Sequence, residues 1–186
     1  MARVRKNMAM QGLTGLLGDQ FLMRTDKAGR TIVSSRPVFK EGRAFSQAQA
    51  DHQEAFREAA LYAKGAKDQE VYIRKAERTP QNAYNIAVAD WFSPPEVKEV
   101  DLGEWDGQAG QVIRVRALDD VKVERVEVEV ALRDAQGTVL EQGPAQAADE
   151  SWWTYTTRAQ ASGATQVLAT AWDLPGHSGQ LTAQTT

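Results

Sequence analysis

Between Val97 and Gln180 the sequence is a series of short β-prone segments in which apolar and polar side chains alternate. This pattern restricts the fold more than any other feature. The clearest segment, from Ile113 to Ala117, alternates apolar residues with arginines, and the segment from Val126 to Val130 alternates valines with glutamates. Strict alternation indicates strands that bury one face and expose the other. The stretch therefore predicts one antiparallel β-sandwich.

Turn-forming residues divide this stretch into seven predicted strands. We expect the strands at residues 97–102, 111–118, 123–133, 138–143, 152–158, 165–172 and 179–183. Asp-Gly, Asp-Ala-Gln-Gly and Ser-Gly sequences lie between several of them and favour tight turns. Glu127 and Glu129 lie on the predicted solvent face, where we expect pairing across the sheet with Arg114, Arg116 or Lys122.

Residues 46–95 carry the signals of three helices. Ser46 and Gln49 form a capping box at the start of the first helix. Asp68 is expected to cap the second helix, and Thr79-Pro80 to open the third, which ends before Pro94-Pro95. The predicted apolar faces of the first and third helices are rich in alanine, which permits close packing. Their members are Ala55, Phe56, Ala59, Tyr62, Ala63, Ala66, Ala83, Tyr84, Ala87, Val88 and Trp91.

Residues 1–45 predict a basic, extended arm around a β-hairpin. Two β-prone runs, at 21–25 and 31–33, flank turn residues from Asp26 to Gly29. A two-stranded hairpin is only marginally stable alone, so we expect it to pack on the rest of the chain or on another copy. The glycine-rich segment 12–18 lacks the Gly-Lys-Ser/Thr sequence of a phosphate-binding loop and is expected to serve backbone bends.

Charge is distributed unevenly along the chain. Residues 1–45 contain nine Lys/Arg and three Asp/Glu, a net charge of +6. Residues 46–95 contain six and seven, and residues 96–186 contain seven and fifteen, giving −1 and −8. A basic head and an acidic body favour head-to-tail contacts between copies, although a basic arm can also bind nucleic acid.

Four segments of the second half carry a family resemblance. They are Val115 to Val121, Asp134 to Gly137, Trp153 to Tyr155, and Ala171 to His177. Together they resemble the bacterial immunoglobulin-like (Big-type) domains of adhesins and extracytoplasmic arrays, with His177 at a position that is usually Asn. The first half looks similar to uncharacterised bacterial and phage-associated proteins. The expected fold class is α+β in two parts: a β-hairpin with a short helical bundle, then an all-β immunoglobulin-like sandwich.

The resemblance also implies a calcium site, because some members of that group bind calcium through loop aspartates. The residues that match are Asp119, Asp120 and Asp173, which we expect to gather at one end of the sandwich. Three carboxylates supply part of a calcium shell of six to eight oxygens. Aspartates at strand ends also form ordinary turns, and the sequence leaves both interpretations open.

No catalytic constellation is visible in the sequence. The chain has no cysteine, and its two histidines, His52 and His177, lie in different halves. No Gly-x-Ser-x-Gly elbow occurs. These observations predict a protein that is not an enzyme and that needs no cofactor other than the calcium considered above. Of the Trp152-Trp153 pair, one side chain must point outward from a regular strand.

We therefore expect a structural protein that self-assembles head-to-tail into a filament, ring or particle shell and displays the immunoglobulin-like domain. The expected domains are 1–45, 46–95 and 96–186, and the partner is another copy of the chain. The residues expected at the assembly interface are Phe21, Met23, Arg24, Ile32, Val33, Arg36, Trp91 and Trp152.

Two alternatives stay open at this stage. A nucleic-acid-binding protein would use its basic arm, with phosphate contacts from Arg3, Arg5, Lys6 and Arg30. An adhesin-like module would present the outward tryptophan and the aspartate loops to a glycan or protein. Because residues 1–17 contain no continuous apolar segment, we expect neither a signal peptide nor a membrane span, and a cytoplasmic or virion-associated location.

Overall fold

The structure is a computed structural model that describes residues 2–3, 13–26, 28–36, 45–132 and 138–185. Of residues 2, 3 and 132, only the backbone is described. These ranges form a mixed α+β protein with mostly β content and three antiparallel sheets. The helices are α1 (Gln47–Ala66), α2 (Glu70–Glu77) and α3 (Ala83–Trp91). The strands are β1 (Ala2–Arg3), β2 (Gly15–Leu17), β3 (Phe21–Thr25), β4 (Thr31–Ser35), β5 (Glu96–Asp101), β6 (Val112–Leu118), β7 (Val123–Leu132), β8 (Val139–Pro144), β9 (Gln146–Ala147), β10 (Trp152–Thr156), β11 (Thr165–Asp173) and β12 (Ser178–Gln184).

Two four-stranded sheets pack face to face and enclose one hydrophobic core. Their strand orders are β5-β6-β10-β9 and β12-β11-β7-β8, and all neighbouring strands are antiparallel. Each sheet contributes its inward residues at every second position, as the alternation predicts. The buried core residues of these strands are Val97, Ile113, Val115, Ala117, Val126, Val128, Val130, Tyr155, Val167, Ala169 and Ala171, and the loop residue Trp105 joins them.

The prediction of an antiparallel sandwich with seven main strands is confirmed, with each described strand end within two residues of its predicted place. The structure adds one two-residue strand, β9, which pairs with β10. The predicted turn at 134–137 lies outside the described residues. β5 and β12 approach each other closely at the side of the sandwich. A Cβ atom at Gly179 would lie 1.9 Å from the carbonyl oxygen of Pro95, so only glycine fits there.

The expected pairing of Glu127 and Glu129 with Arg114 and Arg116 is wrong. The glutamates lie on β7 and the arginines on β6, and the short loop between these strands crosses from one sheet to the other. Glu127 lies opposite Thr170 and Glu129 opposite Leu168, both on β11. Alternation predicts which face a side chain takes, but it does not predict the sheet to which the strand belongs.

The start of α1 agrees with the sequence, whereas those of α2 and α3 do not. The capping box of Ser46 and Gln49 is confirmed. α2 begins after Gln69, whose side chain makes no capping hydrogen bond, so Asp68 is not its cap. α3 begins after Asn82, whose side chain accepts a hydrogen bond from the Asn85 amide at 2.7 Å, and Thr79-Pro80 precedes this cap. Asn82, and not the expected Thr79, is therefore the N-terminal cap of α3.

The three helices share a second, smaller core, in which α1 and α3 pack through small residues. Ala59, Ala63 and Ala66 of α1 are buried, as is Ala87 of α3. Val121 and Leu174, from the β6-β7 and β11-β12 loops, pack against the same core. The helices therefore lie against the end of the sandwich from which these two loops protrude. No helix of the described residues is both long enough and apolar enough to cross a membrane.

The N-terminal strands form a sheet of their own, in the order β1-β4-β3-β2. The predicted hairpin is β3 and β4, and its turn is stabilised by Asp26, which accepts the Ala28 and Arg30 amides. Among the described side chains of this sheet, only Met23 and Thr31 are buried. The structure thus has a well-packed sandwich and a sheet that exposes most of its side chains.

Candidate functional site

Four aspartates meet where the helices contact the sandwich. Asp90 lies in the last turn of α3, Asp119 and Asp120 lie in the β6-β7 loop, and Asp173 ends β11. Asp90 and Asp173 are buried, with 0% and 3% of their surface exposed, whereas Asp119 is half-buried and Asp120 exposed. We call these four residues the acidic junction.

One carboxylate oxygen of Asp119 and one of Asp173 fix the two loops. Oδ2 of Asp119 accepts the amides of Val121 and Lys122 at 2.8 and 2.6 Å. Oδ1 of Asp173 accepts the amides of Gly176 and His177 at 2.8 and 2.6 Å. Their other oxygens, Asp119 Oδ1 and Asp173 Oδ2, are buried and have no hydrogen-bond partner. Each side chain therefore forms a turn with one oxygen and leaves the other available inside the protein.

Asp90 belongs to a hydrogen-bonded chain that begins on α1. The hydroxyls of Tyr62 and Tyr72 are 2.7 Å apart, and the Tyr72 hydroxyl donates a short hydrogen bond to Oδ2 of Asp90. Oδ1 of Asp90 is buried without a hydrogen-bond partner, like the second oxygens of Asp119 and Asp173. Three inward-facing carboxylates thus each have one unsatisfied oxygen. An unsatisfied buried polar atom costs about 1–3 kcal/mol, so this arrangement calls for an explanation.

Burial changes the protonation of these groups. Burial raises the pKa of Asp90 to about 7. The hydrogen bond from Tyr72 lowers this pKa, whereas the negative charges of Asp119 and Asp120 raise it further. Burial also raises the pKa of Asp119, although two backbone amides oppose the shift. The pKa of Tyr72 is raised by burial and by the neighbouring Asp90 carboxylate, so this hydroxyl stays a donor.

Few basic side chains balance this negative charge. Lys75 of α2 lies 3.5 Å from Oδ2 of Asp120 and donates a short hydrogen bond to the Asp120 carbonyl. Lys122 pairs with Glu124 at 3.3 Å, outside the acidic junction. Nδ1 of His177 lies 3.5 Å from Oδ2 of Asp173 but makes no hydrogen bond. Within the part of the chain that the structure describes, the ion pairs of these four carboxylates are with one lysine and with one histidine that is charged only when protonated.

The carboxylate oxygens are close enough to share a ligand. One oxygen each from Asp90, Asp119 and Asp120 lie within 4.8 Å of one another. Asp173 lies close enough to act electrostatically on Asp119. The structure thus places two of the three aspartates predicted from the sequence as a calcium site, Asp119 and Asp120, beside Asp90, whereas Asp173 lies outside this group of oxygens.

Asp90 was not predicted from the sequence, because an acidic residue at a helix end usually faces solvent. A signal was nevertheless present. Ala83, Ile86, Ala87 and Asp90 follow the i, i+3, i+4, i+7 spacing of one helix face, and Ile86, Ala87 and Asp90 are the buried residues of α3. The predicted face centred on Ala83, Tyr84, Ala87, Val88 and Trp91 is rotated from the true one, since Tyr84, Val88 and Trp91 are only half-buried.

The residues predicted for the assembly interface are not in one place. Phe21, Arg24 and Arg36 are exposed on the N-terminal sheet, Ile32 and Val33 are half-buried, and Met23 is buried. Trp91 packs edge-on against His177, with ring centroids 4.7 Å apart. Trp152 is the outward member of its pair and is covered by the Arg114 guanidinium at 4.7 Å, whereas Trp153 packs against the core.

The predicted phosphate contacts lie mostly outside the described part of the chain. Arg5 and Lys6 are not described, and of Arg3 only the backbone is. Arg30 is described, and its guanidinium pairs with Asp26 of the same hairpin turn at 2.6 Å. This ion pair reduces the positive charge that Arg30 can offer to a phosphate.

No known protein family matches the chain, and no curated protein matches it. Among solved structures it is similar to CopC from Methylosinus trichosporium OB3b, with 17% identity over 48% of this chain and 89% of that chain and a TM-score of 0.36. It is also similar to an engineered protein (21% identity, 55% of this chain and 26% of that chain, TM-score 0.37). A conjugative transposon lipoprotein from Bacteroides eggerthii DSM 20697 gives 15% identity, 48% and 92% coverage and a TM-score of 0.28. These scores are too low to support an argument about fold or function.

Proposed function

We propose that this chain is a non-enzymatic structural protein that self-assembles head-to-tail through its N-terminal sheet and displays a C-terminal immunoglobulin-like domain. The proposed domains are residues 1–45, 46–95 and 96–186. One observation carries the proposal, namely the apolar edge of the N-terminal sheet, to which no further strand of the described residues is paired.

That edge is β2, which among the described residues pairs with β3 on one side only. Leu16 lies opposite Leu22 and Leu17 opposite Phe21, and each of these four side chains is between 41% and 54% exposed. Directly opposite residues in an antiparallel pair lie on the same face, so both faces of the sheet end in exposed apolar pairs. Natural proteins seldom leave such an edge uncovered, because its backbone groups can pair with another chain.

Charge supports a second copy as the occupant. Residues 1–45 carry a net charge of +6, and residues 96–186 carry −8. Opposite charges on the two ends favour a contact between the sheet of one copy and the sandwich of the next. Such a contact joins two different surfaces, and it therefore continues into a ring or a filament.

The strand order supports the immunoglobulin-like assignment. The first sandwich sheet corresponds to strands A-B-E-D, and the second to G-F-C with an added C′ strand. At one side of the sandwich, the edge strands β5 and β12 lie close together. The edge strands on the opposite side are β9 in the first sheet and β8 in the second. These edges are the places at which a strand from another copy can add.

Light scattering coupled to size exclusion tests the proposal, at increasing ionic strength and with negative-stain microscopy of the largest fraction. We expect large, regular particles without nucleic acid at low salt, and smaller ones at high salt because screening weakens the contact. A chain that stays monomeric under all conditions would contradict the proposal. A monomer that associates only after addition of DNA or RNA would contradict it as well and would support the nucleic-acid alternative.

A matched pair of variants identifies the surface. Leu17→Glu places a charge on the edge strand, and we expect it to abolish assembly while leaving the circular dichroism spectrum unchanged. Leu61→Glu makes the same change at a leucine of α1 that is 74% exposed, and we expect normal assembly. Equal loss in both variants would show general hydrophobic association rather than a contact through the sheet edge.

A further inference from the structure

We propose that the acidic junction binds one divalent cation, with calcium as its preferred ion, and that this ion stabilises the attachment of α3 to the two loops of the sandwich. Asp90, Asp119 and Asp120 supply the ligands, and Asp173 adds negative charge beside them. The site differs from the one expected from the sequence because Asp90 of α3 contributes to it.

The first argument is the set of unpartnered oxygens. A cluster of surface carboxylates is common and needs no ligand, but Asp90 is fully buried, and its Oδ1 accepts no hydrogen bond from a donor group among the described residues. Its neighbour within hydrogen-bond reach, besides Tyr72, is another carboxyl group, that of Asp120. Asp119 Oδ1 is likewise buried without a hydrogen-bond partner among the described residues. Buried charges in proteins are normally paired or coordinate a metal ion. A cation held by Asp90 and Asp119 would balance the charge of these two carboxylates.

The second argument is geometric. Because the three donor oxygens lie within 4.8 Å of one another, some point lies roughly 2.8 Å or less from all of them, close to the 2.3–2.6 Å of calcium–oxygen bonds. Small side-chain movements bring all three into range. Magnesium requires about 2.0–2.1 Å and regular octahedral geometry, which an irregular set from a helix and a loop suits less well. The donors are all oxygens, and this favours a hard cation over zinc or copper.

The third argument is the origin of the ligands. Asp90 comes from the helices, and the two others come from a loop whose Val121 packs on the helical core. One oxygen of Asp119 already fixes this loop by accepting two backbone amides. The loop is therefore held in shape before an ion binds, and binding adds a connection between the helices and the sandwich. Lys75 reaches Asp120 from α2 and provides only one positive charge for the cluster.

The experiment uses the full chain after treatment with EDTA. We expect calorimetric titration with CaCl₂ to give one site with a dissociation constant on the order of 10⁻⁵ to 10⁻³ M, and weaker binding of MgCl₂. The melting temperature should rise with calcium, since a ligand at a hundred times its dissociation constant shifts the folding equilibrium about 100-fold. Terbium is a luminescent substitute for calcium, and the rings of Tyr62, Tyr72 and Trp91 should sensitise its emission.

Two substitutions localise the ion. Asp90→Asn keeps an oxygen that can accept the Tyr72 hydroxyl but removes the charge, and it should abolish both the calcium shift and the terbium emission. Asp120 is exposed, so Asp120→Asn should fold normally and weaken binding about tenfold or more. Asp149→Asn is the matched control. Asp149 also accepts two backbone amides in a turn, but it lies outside the acidic junction, and its calcium response should equal that of the wild type.

Two results would overturn the proposal. The first is a wild-type protein that shows no heat of binding, no melting shift and no terbium emission. The unpartnered oxygens would then be explained by a proton held on Asp90. The second is calcium binding that survives unchanged in both Asp90→Asn and Asp120→Asn, which would place the ion elsewhere on this acidic chain.

Discussion

The two β regions of this molecule differ in how completely they bury their apolar side chains. In the sandwich, two sheets cover each other and bury an alternating set of valines and alanines almost completely. In the N-terminal sheet, only Met23 and Thr31 of the described side chains are buried, and the leucines of β2 are half exposed. The first region therefore buries its apolar face within one chain, whereas the second, as far as its residues are described, leaves most of its side chains exposed.

The difference shows that β-propensity alone does not determine how much stability a sheet contributes. Both regions contain regular antiparallel pairing. Burial of apolar surface supplies the larger part of folding free energy, at about 25 cal/mol per Å², and the sandwich has far more of it. We expect that changes in the sandwich core alter folding, and that changes in the N-terminal sheet alter association.

The largest expected effect comes from truncating one apolar residue in each region. Ile113→Ala removes a fully buried side chain and should lower the free energy of unfolding by about 2–5 kcal/mol. Leu22→Ala shortens an exposed side chain and should change it by less than about 0.5 kcal/mol. Urea unfolding of both variants at high salt, where the chain is expected to be monomeric, measures the contrast. Similar losses of unfolding free energy in the two variants would show that the two regions do not differ in their contribution to stability.

The next largest effect on stability is expected in the helices. Tyr72→Phe removes the hydroxyl that connects Tyr62 with Asp90. Because a buried carboxylate then loses its donor, we expect a loss of about 1–3 kcal/mol in thermal unfolding without added cations. Tyr84→Phe is the control, since Tyr84 is half-buried and lies outside this chain of hydrogen bonds. If Tyr72→Phe leaves the stability unchanged, solvent must replace the lost hydrogen-bond donor.

A smaller effect should come from the arginines that cover outward tryptophans of the sandwich. The Arg125 guanidinium lies 4.3 Å from the ring centroid of Trp172, and an exposed cation–π contact contributes about 0.5–1 kcal/mol. Arg125→Gln should therefore lower stability by about that amount and expose the Trp172 ring, which acrylamide quenching of tryptophan fluorescence detects. Arg116→Gln, on an exposed arginine of β6, is the comparison variant. Equal quenching in the two would argue against coverage by Arg125.

The smallest expected effect concerns two aspartates that stabilise turns, Asp26 in the N-terminal sheet and Asp149 in the sandwich. Backbone amides lower the pKa of Asp26, chiefly that of Arg30, and they lower the pKa of Asp149, chiefly that of Ser151. A carboxylate with a lowered pKa stabilises the folded state above its unfolded pKa of 3.8, and this contribution is lost as the pH falls through the folded value. Carboxyl NMR titration should show both midpoints below 3.8, and a midpoint at or above 3.8 would contradict the turn geometry.

Much of the sandwich could be predicted from the sequence, because period-two alternation determines both the position of a strand and the face that it buries. The side chains of Ile113, Val115 and Ala117 are buried, as the alternation requires. The sheet to which each strand belongs could not be read in the same way, and the expected pairing of Arg114 with Glu127 failed for this reason. Chain crossings depend on long-range packing that no local pattern contains.

The acidic junction could be predicted only in part. Asp119, Asp120 and Asp173 stand in turn sequences, and turns of one sandwich end lie close together, so their proximity follows from the fold. Asp90 comes from a separate segment, and its position depends on how α3 packs on the sandwich. That packing involves Val121 and Leu174, two loop residues with no helical pattern of their own.

The connection between α3 and β5 has a mechanical consequence. Only four residues, 92–95, separate the two elements, and the carbonyl of the last one, Pro95, lies against Gly179 of β12. A displacement of β5 away from the sandwich therefore also separates it from β12. If the chain assembles as proposed, a pull along the assembly would act on both strands at this side of the sandwich.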